Sequence, residues 1–137
     1  MQRQPQDVRE RALHYSLRAI KLYQVLQKGK DGAGWILAKQ YLRSASSIGA
    51  NLEETQAAES RADFIHKHGI AQKEARESIY WLKLLALSEM LPIDRLRPLM
   101  KETEELYAVI TAIICAAKGR PREKQSTNGA GLNPLII

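Results

Sequence analysis

The segment "RSASSIGANLEE", Arg43 to Glu54, reads as helix, yet nearly every side chain in it is small or polar. Ser and Asn form helices less readily than Lys, Glu or Gln, because their short polar groups compete for backbone hydrogen bonds. A side that only met water would not favour them. The apolar positions Ala38, Tyr41, Leu42, Ala45, Ile48, Gly49 and Leu52 recur in steps of three and four and share one side of the helix. The opposite side holds Gln40, Arg43, Ser44, Ser47, Asn51 and Glu54. Short residues there imply close approach of another backbone, with a few polar atoms that need partners. The competing reading is a solvated polar face with ordinary helix charges. If the next helix returns antiparallel about a turn near Glu59, Arg43 comes level with Glu74 and Glu77, and Glu54 comes within reach of Arg61 or Lys67. Such ion pairs would specify register more than they add stability.

The same periodicity marks three further helices. Asp7 is a fitting N-cap for a helix over about 7–28, in which Val8, Ala12, Tyr15, Ala19, Leu22 and Leu26 form one stripe. "GKDGAG", Gly29 to Gly34, reads as a connector and lacks the Gly–Lys order that cradles a phosphate. The Arg43 helix spans about 35–58. Ser60, with Asp63 three residues on, opens a helix over about 61–90 that Pro92 stops. A fourth, about 94–118, carries Leu96, Leu99, Thr103, Leu106, Ile110, Ile113 and Ala117, and ends before Gly119 and Pro121. Residues 120–137 are aperiodic and rich in Gly, Pro, Ser and Asn, and are expected to be disordered. No segment alternates like a strand. Short connectors therefore predict an all-α fold, an antiparallel up-down-up-down four-helix bundle over 1–119.

The bundle has more apolar surface than it can bury. Leu13, Leu17 and Ile20 form a second group on helix 1, roughly opposite the first stripe, and "IYWLKLLAL", Ile79 to Leu87, is apolar nearly all round. Two apolar faces on one helix call for a second layer of contact, which predicts a homo-oligomer. The 137 residues, 45% hydrophobic and 26% charged, suit one globular domain. No apolar run approaches the ~20 residues of a membrane span. The polar N-terminus and the lone Cys115 point to a cytoplasmic protein.

The order of residues from Leu42 to Leu85 resembles the four-helix-bundle protein family of bacterial large-subunit rRNA intervening sequences. The shared pattern is "RSASSIGANLEE", then "DFIHK", then "IAQKEARE", then "YWL". The resemblance implies a closed antiparallel four-helix bundle that assembles as a homopentamer, without an established enzymatic activity. A related accessory protein of diversity-generating retroelements is a basic pentamer that works with a reverse transcriptase and nucleic acid. The resemblance marks Arg43, Ser44, Ser47, Asn51, Glu54, Lys73, Glu74 and Glu77 as signature residues, to which an assembly role is assigned. His68, Gly69 and Gln72 depart from the pattern, and a mid-helix Gly costs roughly 1 kcal/mol against Ala.

No enzyme chemistry is predicted, and no cofactor or metal. The paired Glu-x-x-His motifs of a di-iron bundle are missing, and His66 and His68, two apart, point to opposite sides of a helix. Cys115, among apolar residues, reads as an inert core thiol. The net charge of +6 leaves room for an acidic partner. On helix 1, Arg11, His14, Arg18, Lys21 and Lys28 share one sector between the two apolar stripes. Arg120, Arg122 and Lys124 could extend it. Repeated around an oligomer, such a strip would bind RNA or DNA through phosphates, without reading sequence. The expected function is a non-enzymatic oligomeric scaffold or interaction protein that holds nucleic acid or a ribonucleoprotein through this strip. The alternative is a structural partner-binding module without nucleic acid.

Overall fold

Side-chain caps decide where the helices begin. In the computed structural model, which describes residues 7–29 and 31–119, Asp7 accepts a hydrogen bond from the Arg9 amide at 2.9 Å and opens α1, Val8–Gln27. Asp31 accepts from the Ala33 amide at 3.0 Å, so α2, Gly32–Glu54, begins at Gly32 rather than at Trp35. The Asp cap satisfies a first-turn donor, and that outweighs the poor helix propensity of Gly32 and Gly34. The second half of the sequence connector is thus the first turn of a helix.

A 3₁₀ turn, Thr55–Ala57, follows α2 directly. The Thr55 hydroxyl donates to the Leu52 carbonyl at 2.6 Å, drawing the chain away from the helical path that the sequence extends to residue 58. Ser60 then caps α3, Arg61–Leu87, by accepting from the Asp63 amide at 3.0 Å, and Asp63 in turn accepts from the Glu59 amide at 3.2 Å. This is a reciprocal cap shifted by one residue. α3 stops three residues short of Met90, because Glu89 takes a left-handed conformation at φ 58°. α4, Ile93–Ala117, follows Pro92 and carries Pro98 in its second turn.

The four helices pack together, and there is no strand among the described residues. Along α1 and α2, Ala12 meets Gly49, Tyr15 meets Tyr41, and Leu26 lies beside Gly34. Along α2 and α3, Ser44 meets Ser78 and Arg43 meets Glu77. Along α3 and α4, Gln72 meets Thr111, and Arg61 donates to the Ala117 carbonyl. The α1–α4 seam is the most thinly packed of these.

The core follows the sequence stripes closely. Ala12, Tyr15, Ala19, Leu22 and Leu26 are buried, as are Ala38, Tyr41, Ala45, Ile48 and Leu52. On α4 the buried row is Leu96, Leu99, Thr103, Leu106, Ile110 and Ile114, so Ile114 takes the inward place expected of Ile113. Ala71, Ala75 and Ser78 are small buried residues of α3, and Ser78 meets Ser44 of α2. The opening segment is therefore a close-packing seam, with Ser44 fully buried. Cys115 is half-buried rather than in the core. Residues 120–137, with Arg120, Arg122 and Lys124, lie outside the described residues.

Candidate interaction surface

Of the signature residues, Arg43, Ser44, Glu74 and Glu77 come together where α2 meets α3. Ser44 Oγ lies 2.8 Å from Ser78 Oγ, with the Tyr41 carbonyl oxygen 3.0 Å from Ser44 Oγ and the Glu74 carbonyl oxygen 2.9 Å from Ser78 Oγ. One serine donates across the seam and the other donates to a carbonyl of its own helix, so both hydroxyl protons are used and the backbones approach closely. Ser47 donates to the Arg43 carbonyl and Asn51 to the Ser47 carbonyl, each at 2.7 Å. Such back-bonding satisfies these polar groups locally.

Above the serines, Arg43 pairs with Glu77 and stands 3.6 Å from Glu74. Glu77 also accepts from the Trp81 indole at 3.1 Å. The Arg43 hydrogen bond holds the Glu77 carboxyl below its ordinary range. Burial pushes Glu74 the other way, and its Oε2 is buried without a hydrogen-bond partner. The expected pairing of Glu54 with Arg61 or Lys67 does not form. Arg61 caps the end of α4 at the Ala117 carbonyl, Lys67 sits 3.4 Å from Asp63, and Glu54 is exposed. Lys73 is exposed on α3.

On α1 the second apolar group faces outward: Leu13 is 60% exposed, Leu17 50% and Ile20 40%. Arg18, Lys21 and Lys28 are exposed in the adjoining sector. His14 Nε2 lies 3.8 Å from Glu10. Arg11, by contrast, is turned into the α1–α4 seam. Its Nε donates to Glu102 Oε1 at 2.7 Å, its Nη2 to Glu102 Oε2 at 3.0 Å, and it also pairs with Glu105. A two-pronged guanidinium–carboxylate pair of this kind is among the stronger polar contacts. It removes Arg11 from the free cations of the strip. The sequence held a signal for it, since Glu102 and Glu105 are three apart on α4 and share a face.

Among the described residues no group of three His, Cys, Asp or Glu side chains is placed to hold a metal ion. His68 is buried, with Nδ1 2.8 Å from the Phe64 carbonyl and its ring 4.2 Å from that of Phe64, whereas His66 is exposed. No helix among the described residues is long and apolar enough to cross a membrane.

These features define an all-α protein of four packed helices, latched at the α2–α3 seam by serines and an arginine–glutamate cluster. Residues 4–112 match the model of the 23S rRNA-intervening sequence protein family, and the chain belongs to that family. It is similar to the crystal structure of a protein of unknown function from the S23 ribosomal protein family of Bacteroides thetaiotaomicron. The two share 37% identity with a TM-score of 0.73, over 79% of this chain and 98% of that one. No curated protein matches the chain.

Proposed function

We propose that the chain is a non-enzymatic scaffold, an antiparallel up-down-up-down bundle that assembles with copies of itself and presents a basic surface to nucleic acid or a ribonucleoprotein. The outward row Leu13, Leu17 and Ile20 carries this reading. Three large aliphatic side chains on consecutive turns of one helix form a contiguous patch rather than scattered exposure. A closed ring of copies forms through a heterologous interface, in which this patch meets a different surface of the next chain. Five copies is the number that the family resemblance implies. The lone Cys115 supports a cytoplasmic site of action.

The basic surface now consists of Arg18, Lys21 and Lys28, with Arg11 neutralised inside the chain. Assembly multiplies these cations around a ring, so several phosphates are neutralised at once and binding falls steeply with salt. The alternative, a partner-binding module without nucleic acid, is favoured by the aliphatic floor that lies between Arg18 and Lys21 and the neighbouring α4.

Light scattering on the size-exclusion peak at micromolar concentration tests the assembly. A multimer that Leu17→Glu reduces to single chains is expected. A well-behaved wild-type monomer would refute the scaffold. Filter binding of RNA and DNA at two salt concentrations tests the basic surface, and no retention at low salt would refute it.

A further inference from the structure

A groove of about 250 Å³ opens in the thin seam between α1 and α4. Its floor is aliphatic, with Leu22 and Leu99 buried and Leu91 half-buried. Arg18 and Lys21 from α1 and Arg95 from α4 stand on its rim, all exposed. Neither a carboxylate nor an aromatic ring lines it. No ion pair engages any of these three cations among the described residues. The carboxylate that feels Arg18, Glu102, is already held by Arg11.

Three like charges converging on one groove repel each other, and an anionic ligand relieves that repulsion. The floor says which kind of anion. A phosphodiester would meet the cations but leave the aliphatic floor uncovered, and a splayed base seeks an aromatic face, which the groove lacks. An aliphatic side chain buried on the floor, with carboxylates beside it, satisfies both halves. The volume falls below the ~300–1,000 Å³ of typical ligand pockets, which fits one anchor with its flanks rather than a large ligand.

We infer that this groove docks a short acidic segment of another protein, anchored by a leucine-like side chain on the floor and by Asp or Glu on Arg18, Lys21 and Arg95. The inference rests on the partner-binding reading above and is independent of self-association. It is the helix-or-strand-in-groove mode of recognition, with charge supplying orientation.

The test is fluorescence anisotropy of the full chain with a labelled peptide of Glu and Leu. Matched peptides carry Ser for Leu or Lys for Glu, and a single-stranded oligonucleotide of equal charge serves as competitor. Expected is binding of the Glu/Leu peptide that weakens with salt and falls about ten-fold or more for either matched peptide, the equivalent of 1.4 kcal/mol. Arg18→Glu with Arg95→Glu, and separately Val25→Asp at the groove edge, lower affinity to a similar degree, while Lys39→Glu on α2 leaves it unchanged. Displacement of the peptide by the oligonucleotide is expected, because both ligands use Arg18 and Lys21, whereas absence of peptide binding, or peptide affinity that ignores Val25→Asp, overturns the inference. Peptide affinity indifferent to the Arg18 and Arg95 reversals overturns the groove alone. Light scattering of the same samples closes the remaining route: if those reversals dissociate the assembly, the groove belongs to a second copy and the inference falls.

Discussion

The hydroxyl of Tyr15 on α1 meets the hydroxyl of Thr103 on α4 at 2.6 Å, deep in the bundle. The contact belongs to a one-way chain. Tyr41 on α2 donates to Tyr15 at 2.8 Å, Tyr15 donates onward to Thr103, and Thr103 donates to the Leu99 carbonyl at 2.6 Å. Every hydroxyl has an acceptor, so three buried polar groups are held across the three helices without an unmet donor. The chain of donors orders the expected losses. Tyr41→Phe deletes only its first member and is the mildest. Thr103→Val removes the acceptor of the buried Tyr15 hydroxyl and costs about 1–3 kcal/mol. Tyr15→Phe strands Tyr41, so Tyr15→Phe with Tyr41→Phe costs less than the two single changes added. Urea unfolding of the four variants measures the order, and simple additivity would dissolve the network.

The same burial makes the fold sensitive to alkali. Removal from water pushes Tyr15 up to about 12, and Tyr41 is raised well above the ordinary 10.0 for the same reason. An unfolded chain releases these protons near 10.0, whereas the folded chain keeps them. Above that pH the folded state binds more protons, so stability falls as pH rises and is unaffected by these groups below it. A fully shifted tyrosine lowers stability by up to about 1.4 kcal/mol per pH unit in that window. Tyr41→Phe is expected to flatten the alkaline limb of a melting-temperature profile.

Glu74 and Glu77 share Arg43 but respond oppositely to acid. Glu74 is raised from 4.5 chiefly by burial, with Arg43 opposing, so its neutral form suits the fold better. Stability from this group is gained as pH falls through its folded value. Glu77 is lowered chiefly by its hydrogen bond from Arg43, so its contribution is present above 4.5 and lost as pH falls through its folded value. Glu74→Gln keeps the shape and removes the buried charge. It is expected to be neutral or to stabilise by up to about 1 kcal/mol at neutral pH. Glu77→Gln is expected to destabilise and to reduce the acid sensitivity of the fold. Urea midpoints at neutral and mildly acidic pH separate the two, and equal losses from both variants would contradict this division.

Two backbone positions are open to improvement. Gly69 lies inside α3, and an added Cβ would have no atom within 4 Å. Gly69→Ala therefore gains helix propensity without a clash, about 1 kcal/mol. Glu89 holds φ 58° after α3, a conformation that burdens any side chain with a Cβ, so Glu89→Gly is expected to stabilise by roughly 1 kcal/mol. Both appear as higher thermal midpoints with unchanged helicity.

Helix periodicity made the core legible in the sequence, because burial needs a stripe and a stripe is visible in one dimension. The inward stripes of α1 and α2 were readable in this way, and the level of Arg43 with Glu74 and Glu77 followed from a single assumed turn. Ends were less legible. Asp31 draws Gly32 and Gly34 into α2, and Thr55 ends that helix early, since a single capping bond outweighs propensities summed over several residues. Least legible was the state of the charges. Arg11, Arg18 and Lys21 look alike on a helical wheel, and only α4 decides which of them is neutralised. The pairing of Glu54 with Arg61 failed for the same reason, because the carbonyl of Ala117 lies on an element the two-helix argument left out.

That difference between α1 cations gives a sharp prediction for nucleic-acid binding. A free surface cation that meets a phosphate contributes about 0.9 to the salt slope on duplex DNA, whereas a cation already paired within the protein contributes none. Arg18→Gln and Lys21→Gln are each expected to weaken binding across all sequences and to lower the slope by about one. Arg11→Gln is expected to leave the slope unchanged while lowering stability, because Glu102 and Glu105 lose the guanidinium that neutralises them. Filter binding over a salt series, set beside urea unfolding of the same variants, reads both effects. A fall in slope with Arg11→Gln equal to that with Arg18→Gln would mean that the Arg11 clamp opens when nucleic acid arrives.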